Sequence, residues 1–482
     1  MPLICNDLRE YIDRLEVEGE LRRVQAQVDW HLEAGAMSRR VTELREPAPL
    51  FENIKDYPGH RMAAVLMGPS KPALHARVAI GLGLDKSMPP LEMIEVVREK
   101  LKAPKSSVLI DKKEAPCKEV ILRGGDANLL AFPIPWIKAV DGGRYLGTWD
   151  VVITKDPESG WVNWGTYRAM LKDEETYAIF LTTGQHAGVI WRKYEAMKKP
   201  MPVALVIGAD PASHIAATTP VVLGSNEVEA AGALRGSAVP LVKCETIDLE
   251  VPATAEIVVE AEIVLGERVP EGPFGEYSGH ATHRGLAPLA RVKCITHRKN
   301  PIFTMANMGK PWDDCHVPGS ILTCAVAKNR LEAHGISIKA CYAHPPMSLV
   351  IAVAPRPGLV KKILAILASG GRAGGPGIIF VDEDVDVANL EEVWWAITTR
   401  MHPDKFEVVR GVSANLLIPY LTPAEREGRE TSHWVMNAAI PPEWPAEYRE
   451  AHTRAVDFKS SWPDEIQKKV LARWKEYGYG RG

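Results

Sequence analysis

The chain has 482 residues, which is more than one hydrophobic core usually serves, so two or three domains are expected. Lys and Arg total 58 against 61 Asp and Glu, and the formal charge of -3 argues against nucleic acid or an anionic membrane surface as a partner. The seven cysteines are scattered and contain no C-x-x-C pair, so neither a disulfide framework nor a zinc site is indicated, and a cytoplasmic location is expected. The charge balance instead favours a small-molecule ligand, and because no segment approaches the roughly 20 apolar residues that a membrane-spanning helix needs, the protein is not expected to be embedded in a membrane.

Residues 1–110 are predicted to form an N-terminal α/β segment. Apolar residues at helical spacing predict helices over Leu8–Val24 and Leu91–Leu101, and the run Met62–Met67 is typical of a short strand. The first helix is amphipathic and lacks the continuous apolar core of a signal peptide.

Residues 111–310 show a β pattern, because apolar runs of strand length alternate with turns rich in Gly, Pro and Asp. Such a series can close into a barrel. Glu256, Glu260 and Glu262 share one face of the strand that contains them, and this face is predicted to be solvated. The predicted strands are Trp149–Thr154, Ala178–Thr182, Val203–Ile207, Glu256–Val264 and Ala290–Thr296.

Residues 311–330 are predicted to be a linker to a second α/β domain, residues 331–455, in which helices and strands alternate. The glycines of Gly370–Gly377 lack the lysine of a phosphate-binding P-loop and are interpreted as a flexible connection. The predicted elements are a helix over Pro357–Ala368, a buried strand over Gly377–Val381 and a helix over Leu390–Met401.

Residues 456–482 contain a predicted helix over Pro463–Tyr477, on which Ile466, Val470 and Trp474 form one apolar stripe. That stripe is expected to pack on a neighbouring part of the chain or on a partner subunit. No internal repeat is present, so the sequence does not support a solenoid or a propeller.

The segment VPEGPFGEYSGH places Glu271 and Glu276 five residues apart around two glycines and a proline. Residues five apart on a regular strand point to opposite faces, so the turn residues are what could bring both carboxylates together. If a cation keeps one of them ionised, their pKa values separate, which provides one acid and one anion at neutral pH. The alternative is a solvated turn with two surface glutamates, and the spacing by itself favours that alternative.

The segment WVNWGTYRAML carries Asn163 and Arg168, also five residues apart, around Gly165. Both can serve one site only if the strand is irregular or bulged here. Arg168 would be the natural counter-ion for a substrate carboxylate or for one of the glutamates, and the alternative is an exposed arginine at the end of a strand.

Possible metal ligands precede or begin two predicted helices. Gln185 and His186 come before one helix, and Glu227 and Glu229 lie near the start of another. Together with Asn163 they offer an amide oxygen, an imidazole and a carboxylate, a set that suits manganese or magnesium bridging to a phosphate better than structural zinc. The alternative is that these are ordinary residues at the start of a helix, where the macrodipole favours glutamate.

Taken together and in this order, these segments resemble the UbiD family of reversible decarboxylases over most of the chain. The quoted motifs are VPEGPFGEYSGH, NWGTYR, GQH and NEVEAAGALRG, with WWAITTRMHPDK and FVDEDVDV nearer the C-terminus. The resemblance implies that Arg168, Glu271 and Glu276 are the catalytic set. In it, Glu276 would donate the proton and Glu271 would pair with Arg168.

The same resemblance implies a cofactor and its ligands. Prenylated flavin mononucleotide (prenylated FMN) would be joined to the protein through Mn2+ or Mg2+ held by Asn163, His186 and Glu227, and K+ is expected as well. Glu229 remains a competing metal ligand. The other residues expected to bind the cofactor are Thr166, Arg168 and Gln185.

The implied architecture is an N-terminal α/β segment, a split β-barrel that holds the flavin, and a C-terminal α/β domain that mediates dimers or hexamers. A flavin prenyltransferase would supply the cofactor. One departure from the family pattern is that Gly375, Pro376 and Gly377 stand where many members carry a lysine near the cofactor. No lysine is therefore assigned to the cofactor phosphate.

The expected substrate is an aromatic, heteroaromatic or α,β-unsaturated carboxylic acid. The segment KPWDDCHVPGS is interpreted as a loop lining a pocket, with His316, Ser320 and Ile321 as candidate lining residues. Their mixture of imidazole, hydroxyl and apolar wall favours a polar aromatic or heteroaromatic acid, while the physiological direction stays open. Two alternatives are a glycosidase, whose paired carboxylates lie about 5 to 9.5 Å apart, and a flavin-binding scaffold without activity of its own.

Overall fold

The computed structural model describes residues 4–182, 184–219, 224–345, 348–368 and 376–480. The predicted flexible connection Gly370–Gly377 falls mostly outside these ranges, and so does Gly375, one of the three residues that stand in place of the family lysine.

The N-terminal region begins with a helix that is shorter than predicted. It ends at Val17, Gly19 turns the chain with a φ of +76°, and the remainder of the predicted helix Leu8–Val24 forms a strand. The single long helix is therefore wrong, because the left-handed conformation at this glycine breaks the helical pattern. The helices are α1 (Leu8–Val17), α2 (Glu33–Leu44), α3 (Ala76–Gly81) and α4 (Pro90–Leu101), and the strands are β1 (Leu21–Val24), β2 (Ala48–Phe51) and β3 (Arg61–Ala64).

The central region is built on a nine-stranded sheet. The strands of this region, of which β4, β12 and β13 form a separate small sheet, are β4 (Val108–Leu109), β5 (Val120–Arg123), β6 (Tyr145–Gly147), β7 (Asp150–Lys155), β8 (Val162–Gly165), β9 (Ala169–Leu171), β10 (Thr176–Ile179), β11 (Met201–Ile207), β12 (Pro240–Lys243), β13 (Glu250–Pro252), β14 (Ile257–Glu271), β15 (Gly285–His297) and β16 (Ile302–Met305). The helices are α5 (His186–Ala196), α6 (Pro211–Thr218) and α7 (Glu227–Arg235).

The order of the large sheet is β6-β9-β10-β15-β14-β11-β7-β8, with β5 also paired to β15, and the sheet curls into half of a barrel. Strand β16 leaves this region and pairs in parallel with β3, which completes a four-stranded sheet in the order β1-β2-β3-β16. The N-terminal and central regions therefore share backbone hydrogen bonds.

The longest strands of the sheet, β14 and β15, form the ribbon that carries the candidate catalytic loop. Over Ile257–Ile263, β14 also pairs with β11, and after a register shift between Ile263 and Arg268 it continues with β15 alone up to Glu271. Such irregularities bend a strand and increase its twist. Because it stays paired with β15, β14 extends well beyond the predicted strand Glu256–Val264, and Glu271 is its last residue.

The predicted solvated face of this strand is wrong for two of its three glutamates. Glu256 and Glu260 are both fully buried. Glu256 binds Arg9 of α1 at 2.8 Å, and Glu260 lies 3.2 Å from Lys118. Alternation predicts which residues share a face but not what covers that face, and here segments distant in sequence cover it.

The C-terminal region begins with a long buried helix where a linker was predicted. Most of the segment 311–330 belongs to α8, which packs against α4 and the first strand of the next sheet. The helices are α8 (His316–Ala333), α9 (Leu359–Ala368), α10 (Leu390–Arg400), α11 (Pro423–Gly428), α12 (Ala446–Thr453), α13 (Phe458–Ser461) and α14 (Asp464–Ala472). The strands are β17 (Ala340–His344), β18 (Ser348–Val353), β19 (Gly377–Asp382), β20 (Phe406–Ser413) and β21 (Glu430–Asn437).

The C-terminal strands form a sheet in the order β17-β18-β19-β21-β20. Strand β19 is buried over its whole length, as predicted, and α9 and α10 fall within the predicted helices. Helix α14 is shorter than the predicted helix Pro463–Tyr477 and, within the ranges that the structure describes, has no buried residue; of the predicted stripe, Ile466 is exposed and Val470 and Trp474 are partly buried. None of the described helices combines the length and apolar character needed to span a lipid bilayer.

We expect Glu260→Ala to lower the free energy of unfolding by about 3–5 kcal/mol, because it leaves the ammonium of Lys118, with 1% side-chain exposure, without its nearest partner. The control is Glu262→Ala on the same strand face, where the carboxylate pairs with the partly exposed Lys293 and its loss should cost about 1 kcal/mol or less. Denaturant unfolding of both variants measures the difference. Equal losses would contradict a structural role for the buried pair.

Candidate active site

Arg168 lies at the centre of the candidate site and binds both glutamates of the catalytic loop. Its Nε and Nη2 atoms donate to the two carboxylate oxygens of Glu271 at 2.9 and 2.6 Å, and its Nη1 donates to Glu276 Oε1 at 2.6 Å. All three side chains are buried. The structure therefore brings together the three residues that the resemblance assigns to catalysis, and it excludes the interpretation of a solvated turn.

The backbone explains how these residues converge. Strand β8 ends at Gly165 and β9 begins at Ala169, so Arg168 lies on an irregular connection, as predicted for this segment. Glu271 ends β14, and its Oε1 also accepts a hydrogen bond of 2.8 Å from the hydroxyl of Tyr145 on β6. Each carboxylate thus reaches the guanidinium from a different backbone element.

A turn at residues 136–142 holds the loop between the two glutamates. The Gly142 N–H donates to the Pro273 carbonyl at 2.8 Å, and Asp141 Oδ1 accepts the Gly275 N–H at 2.9 Å. A Cβ atom on Gly142 would lie 2.0 Å from the Gly272 carbonyl oxygen, so only glycine permits this approach. We call residues 136–142 the clamp turn.

Several residues that contact the catalytic set were not found from the sequence. Phe180 lies 3.9 Å under the Arg168 guanidinium, and Phe274 packs on the ring of Tyr145. Asp141 and Tyr145 bind the loop and Glu271, respectively. The D-G-G sequence at residues 141–143 is a turn signal, but nothing in it indicates which distant segment the turn contacts.

Burial and charge shift the pKa values of Glu276 and Arg168. Burial raises the pKa of Glu276, and the charge of Arg168 and its hydrogen bond oppose that effect without cancelling it. Burial by itself would lower the pKa of Arg168, but its bonds to Glu271 and the charge of Glu276 outweigh burial and raise that pKa. The guanidinium therefore stays charged, and Glu276 holds a proton to higher pH than an ordinary glutamate.

A second polar cluster contains the three predicted metal ligands. Asn163 Nδ2 donates to Glu227 Oε1 at 3.0 Å, and His186 Nδ1 lies 3.4 Å from the same oxygen. Glu227 is buried at the first position of α7 and His186 begins α5, so two helix N-termini meet here. Glu229 is partly exposed, and no contact that the structure describes brings its side chain to this cluster.

The donor set of this cluster fits a divalent metal ion. No three His, Cys, Asp or Glu side chains in the described ranges are grouped closely enough to hold a metal, so the Asn163 amide would be the third protein ligand beside His186 and Glu227. An imidazole nitrogen, a carboxylate and an amide oxygen suit manganese or magnesium. The amide presents Nδ2 to Glu227, so metal binding requires the amide to turn over and present its oxygen.

Two further predicted cofactor residues adjoin the clusters. Thr166 follows β8, and its hydroxyl donates to the Asp150 carbonyl at 3.2 Å. Gln185 directly precedes His186, and its side-chain oxygen accepts the Thr182 N–H at 3.0 Å. Their roles toward a cofactor stay predictions.

The three predicted pocket residues lie at the start of α8 and have different surroundings. The His316 ring packs edge-on against the ring of Tyr277, with 6.1 Å between the ring centroids. Tyr277 directly follows Glu276 in the sequence. The Ser320 hydroxyl donates to the Val317 carbonyl and lies 3.0 Å from His75 Nε2, and Ile321 is buried in the main hydrophobic core. Only His316 therefore has a described contact with the catalytic loop, and a pocket role for Ser320 and Ile321 stays a prediction.

The chain matches the three domain models of 3-octaprenyl-4-hydroxybenzoate carboxy-lyase, the UbiD models, in order. The N-terminal model covers residues 12–101, the Rift-related model residues 108–311 and the C-terminal model residues 319–438. The chain is also 31% identical over 494 residues to pyrrole-2-carboxylic acid decarboxylase from Pseudomonas aeruginosa, with 98% of each chain covered.

Two solved structures confirm the multidomain fold. Vanillic acid decarboxylase from Sedimentibacter hydroxybenzoicus in closed form superposes with a TM-score of 0.88 at 30% identity, covering 99% of this chain and 100% of that one. An evolved dimeric form of a UbiD-class enzyme from Pelotomaculum thermopropionicum, in complex with prFMN, gives a TM-score of 0.79 at 26% identity and covers 98% of this chain and all of that one. The matches to all three domain models, together with a relative similar over nearly its full length, show that this chain belongs to the UbiD family of carboxy-lyases.

Proposed function

We propose that this chain decarboxylates an aromatic or heteroaromatic acid without oxidation, using prenylated FMN. The observation that carries the proposal is the buried set in which Arg168 binds Glu271 and Glu276 while burial raises the pKa of Glu276. Support comes from relatives named for decarboxylating pyrrole-2-carboxylic and vanillic acids, and from a neighbour in complex with prFMN. The glycosidase alternative is not favoured, because both carboxylates bind one guanidinium and the similar proteins are decarboxylases.

When bound, the prenylated flavin supplies the electron sink that allows carbon dioxide to leave. Asn163, His186 and Glu227 would hold manganese or magnesium, and the metal would join the cofactor phosphate to the protein. Potassium stays an expectation without assigned residues. A flavin prenyltransferase would have to make the cofactor, and the same site would carry out carboxylation where carbon dioxide is abundant.

The protein residues divide the proton chemistry between them. Arg168 binds Glu271 through two hydrogen bonds and stabilises its anion. Glu276 keeps its proton in the buried site and gives it to the substrate carbon that has lost carbon dioxide. The new Glu276 carboxylate then already has Arg168 Nη1 at 2.6 Å as its counter-charge, so the transfer leaves no unpaired buried anion.

His316 would select acids whose ring carries a hydrogen-bond donor. Its Nδ1 lies 2.9 Å from Asp313 Oδ1 without the geometry of a hydrogen bond, and the nearby carboxylate favours a proton on this nitrogen, which leaves Nε2 as an acceptor. Nε2 is buried and has no hydrogen-bond partner among the residues that the structure describes. A ring hydroxyl or ring N–H of the substrate would satisfy this nitrogen.

The assembled enzyme is proposed to be a cytoplasmic homodimer or homohexamer. Strand β20 is mostly exposed at the edge of the C-terminal sheet, and α14 presents the exposed Ile466 and the partly exposed Val470, with the partly exposed Trp474 just beyond its end. Exposed edge strands and apolar helix stripes are the surfaces that a second subunit covers.

We expect Glu276→Gln to lower kcat by about a hundredfold or more, because an amide cannot donate the proton that the carboxyl group supplies. The flavin content, read from the visible absorbance, should stay at the wild-type level. The control is Glu267→Gln at an exposed position of β14, the strand that leads into the catalytic loop. In the wild type, turnover should fall as pH rises through the raised pKa of Glu276, since the acid form is then lost. Undiminished turnover in Glu276→Gln would exclude Glu276 as the donor.

We expect Glu227→Ala to lose bound manganese, because the variant lacks the only carboxylate of the donor set. Glu229→Ala is the matched control, since it removes a carboxylate two residues away that lies outside the cluster. Elemental analysis of the purified proteins measures the metal content without reference to activity. Loss of metal from Glu229→Ala alone would reverse the assignment.

We expect His316→Leu to reduce the preference for hydroxylated or N–H-bearing ring acids over matched acids without such a donor by about tenfold or more, because the acceptor for that donor is lost. His334→Leu serves as the control, since this exposed histidine lies at the opposite end of the same helix. Comparing kcat/KM for both substrate classes tests the expectation. An unchanged ratio in His316→Leu would show that another group recognises the ring.

A further inference from the structure

We propose that Asn415, in the C-terminal domain, is a positioning residue for Glu276 and acts through the hydroxyl of Tyr277. The inference rests on the proposed function, because it concerns the placement of the proton donor. It links a side chain of the C-terminal sheet region to the catalytic loop of the central region.

The link is a single short contact between two regions that are distant in sequence. Asn415 Nδ2 donates to the Tyr277 hydroxyl oxygen at 2.7 Å, and both side chains are partly buried. Tyr277 directly follows Glu276 in the chain. The ring of Tyr277 also packs edge-on against His316 at the start of α8, so the tyrosine contacts both α8 and the segment that contains Asn415.

The position of Tyr277 is coupled to that of Glu276 through the hydrogen-bonded backbone around them. The Glu276 N–H donates to the His280 carbonyl at 3.0 Å, and the Gly279 N–H donates back to the Glu276 carbonyl at 3.0 Å. Tyr277 lies inside this small turn, so a displacement of its ring moves the backbone that carries the Glu276 side chain. The preceding part of the loop is fixed separately by the clamp turn through Asp141 and Gly142.

Asn415 is itself held in one orientation. Its side-chain oxygen accepts the Leu417 N–H at 3.2 Å, which leaves the amide nitrogen facing Tyr277. Arg426 of α11 binds the carbonyl groups of Leu416 and Ile418 at 2.7 and 2.9 Å. Thr422 and Glu425 form a capping box at the start of that helix.

The Asn415 side chain is therefore preorganised for its hydrogen bond to Tyr277. The oxygen, the nitrogen and the neighbouring carbonyl groups all have defined partners, so little side-chain entropy is lost when the amide meets Tyr277. Glu276 is thus held from two sides, by the clamp turn before it and by Asn415 acting on the residue after it.

The kinetic test is a double-mutant cycle with Asn415→Ala, Tyr277→Phe and the combined variant in flavin-loaded enzyme. Each single change should lower kcat roughly threefold to tenfold, as expected for the loss of one neutral hydrogen bond, while KM and flavin content stay unchanged. The double variant should be no slower than the slower single variant. If instead the two fold-changes multiply, the residues act independently and the proposal is wrong.

The matched control is Asn437→Ala. Asn437 also lies in the C-terminal domain, and its side-chain oxygen accepts an N–H two residues along the chain at 3.2 Å, as Asn415 does. None of the described contacts of Asn437 reaches the catalytic loop, so its loss should leave kcat unaltered. An equal loss of kcat in Asn437→Ala would point to general destabilisation and overturn the specific role.

Hydrogen exchange separates this inference from the proposed function. In Asn415→Ala, the amides of Glu276 and Gly279 should exchange at least threefold faster than in the wild type, whereas amides of the clamp turn should not change. If exchange is unaltered, Asn415 does not position the loop, whatever the activity. If exchange changes but the wild-type holoenzyme releases no carbon dioxide from any tested acid, the positioning stands and the decarboxylase proposal fails.

Discussion

The arrangement of the site depends on one guanidinium that two buried carboxylates share. Removing a cation and two anions from water costs several kcal/mol per ion unless the charges compensate one another. Arg168 compensates the charge of Glu271 through two hydrogen bonds, and burial raises the pKa of the remaining carboxyl group of Glu276. In the proposed mechanism, this arrangement provides one acid beside one anion.

The surroundings of Arg168 maintain this state. The faces of Phe180 and Phe274 contact the guanidinium and exclude water without competing for its hydrogen bonds. The Tyr145 hydroxyl adds a donor to Glu271, which further stabilises the anion of that residue. Tyr145 lies on β6, Phe180 directly follows β10 and Phe274 lies in the loop after β14, so these contacts form only when the sheet brings the three segments together.

The connection between β8 and β9 couples this set to the proposed metal ligands. Asn163 lies on β8 and Arg168 on the connection that follows, so only residues 164–167 separate the second polar cluster from the arginine that binds both glutamates. A cofactor phosphate held near Asn163 and a reactive ring held near Arg168 would therefore be placed relative to each other by the same short segment. Sites built on adjoining positions of a rigid element are held more accurately than sites on separate loops.

The sequence by itself determined the family and much of the local structure. The order of the motifs pointed to the UbiD family, and the apolar patterns predicted the buried strand β19 and helices α9 and α10, because periodicity is a local property. Only the tertiary structure decided which groups meet. Arg168 and Glu271 are 103 residues apart in the sequence, and Tyr277 and Asn415 are 138 apart. Glu256 and Glu260 are buried by segments that are distant in sequence, and the alternation of their own strand does not indicate those segments. Contacts of this kind depend on how the sheet curls and where β14 ends, and no local pattern encodes that.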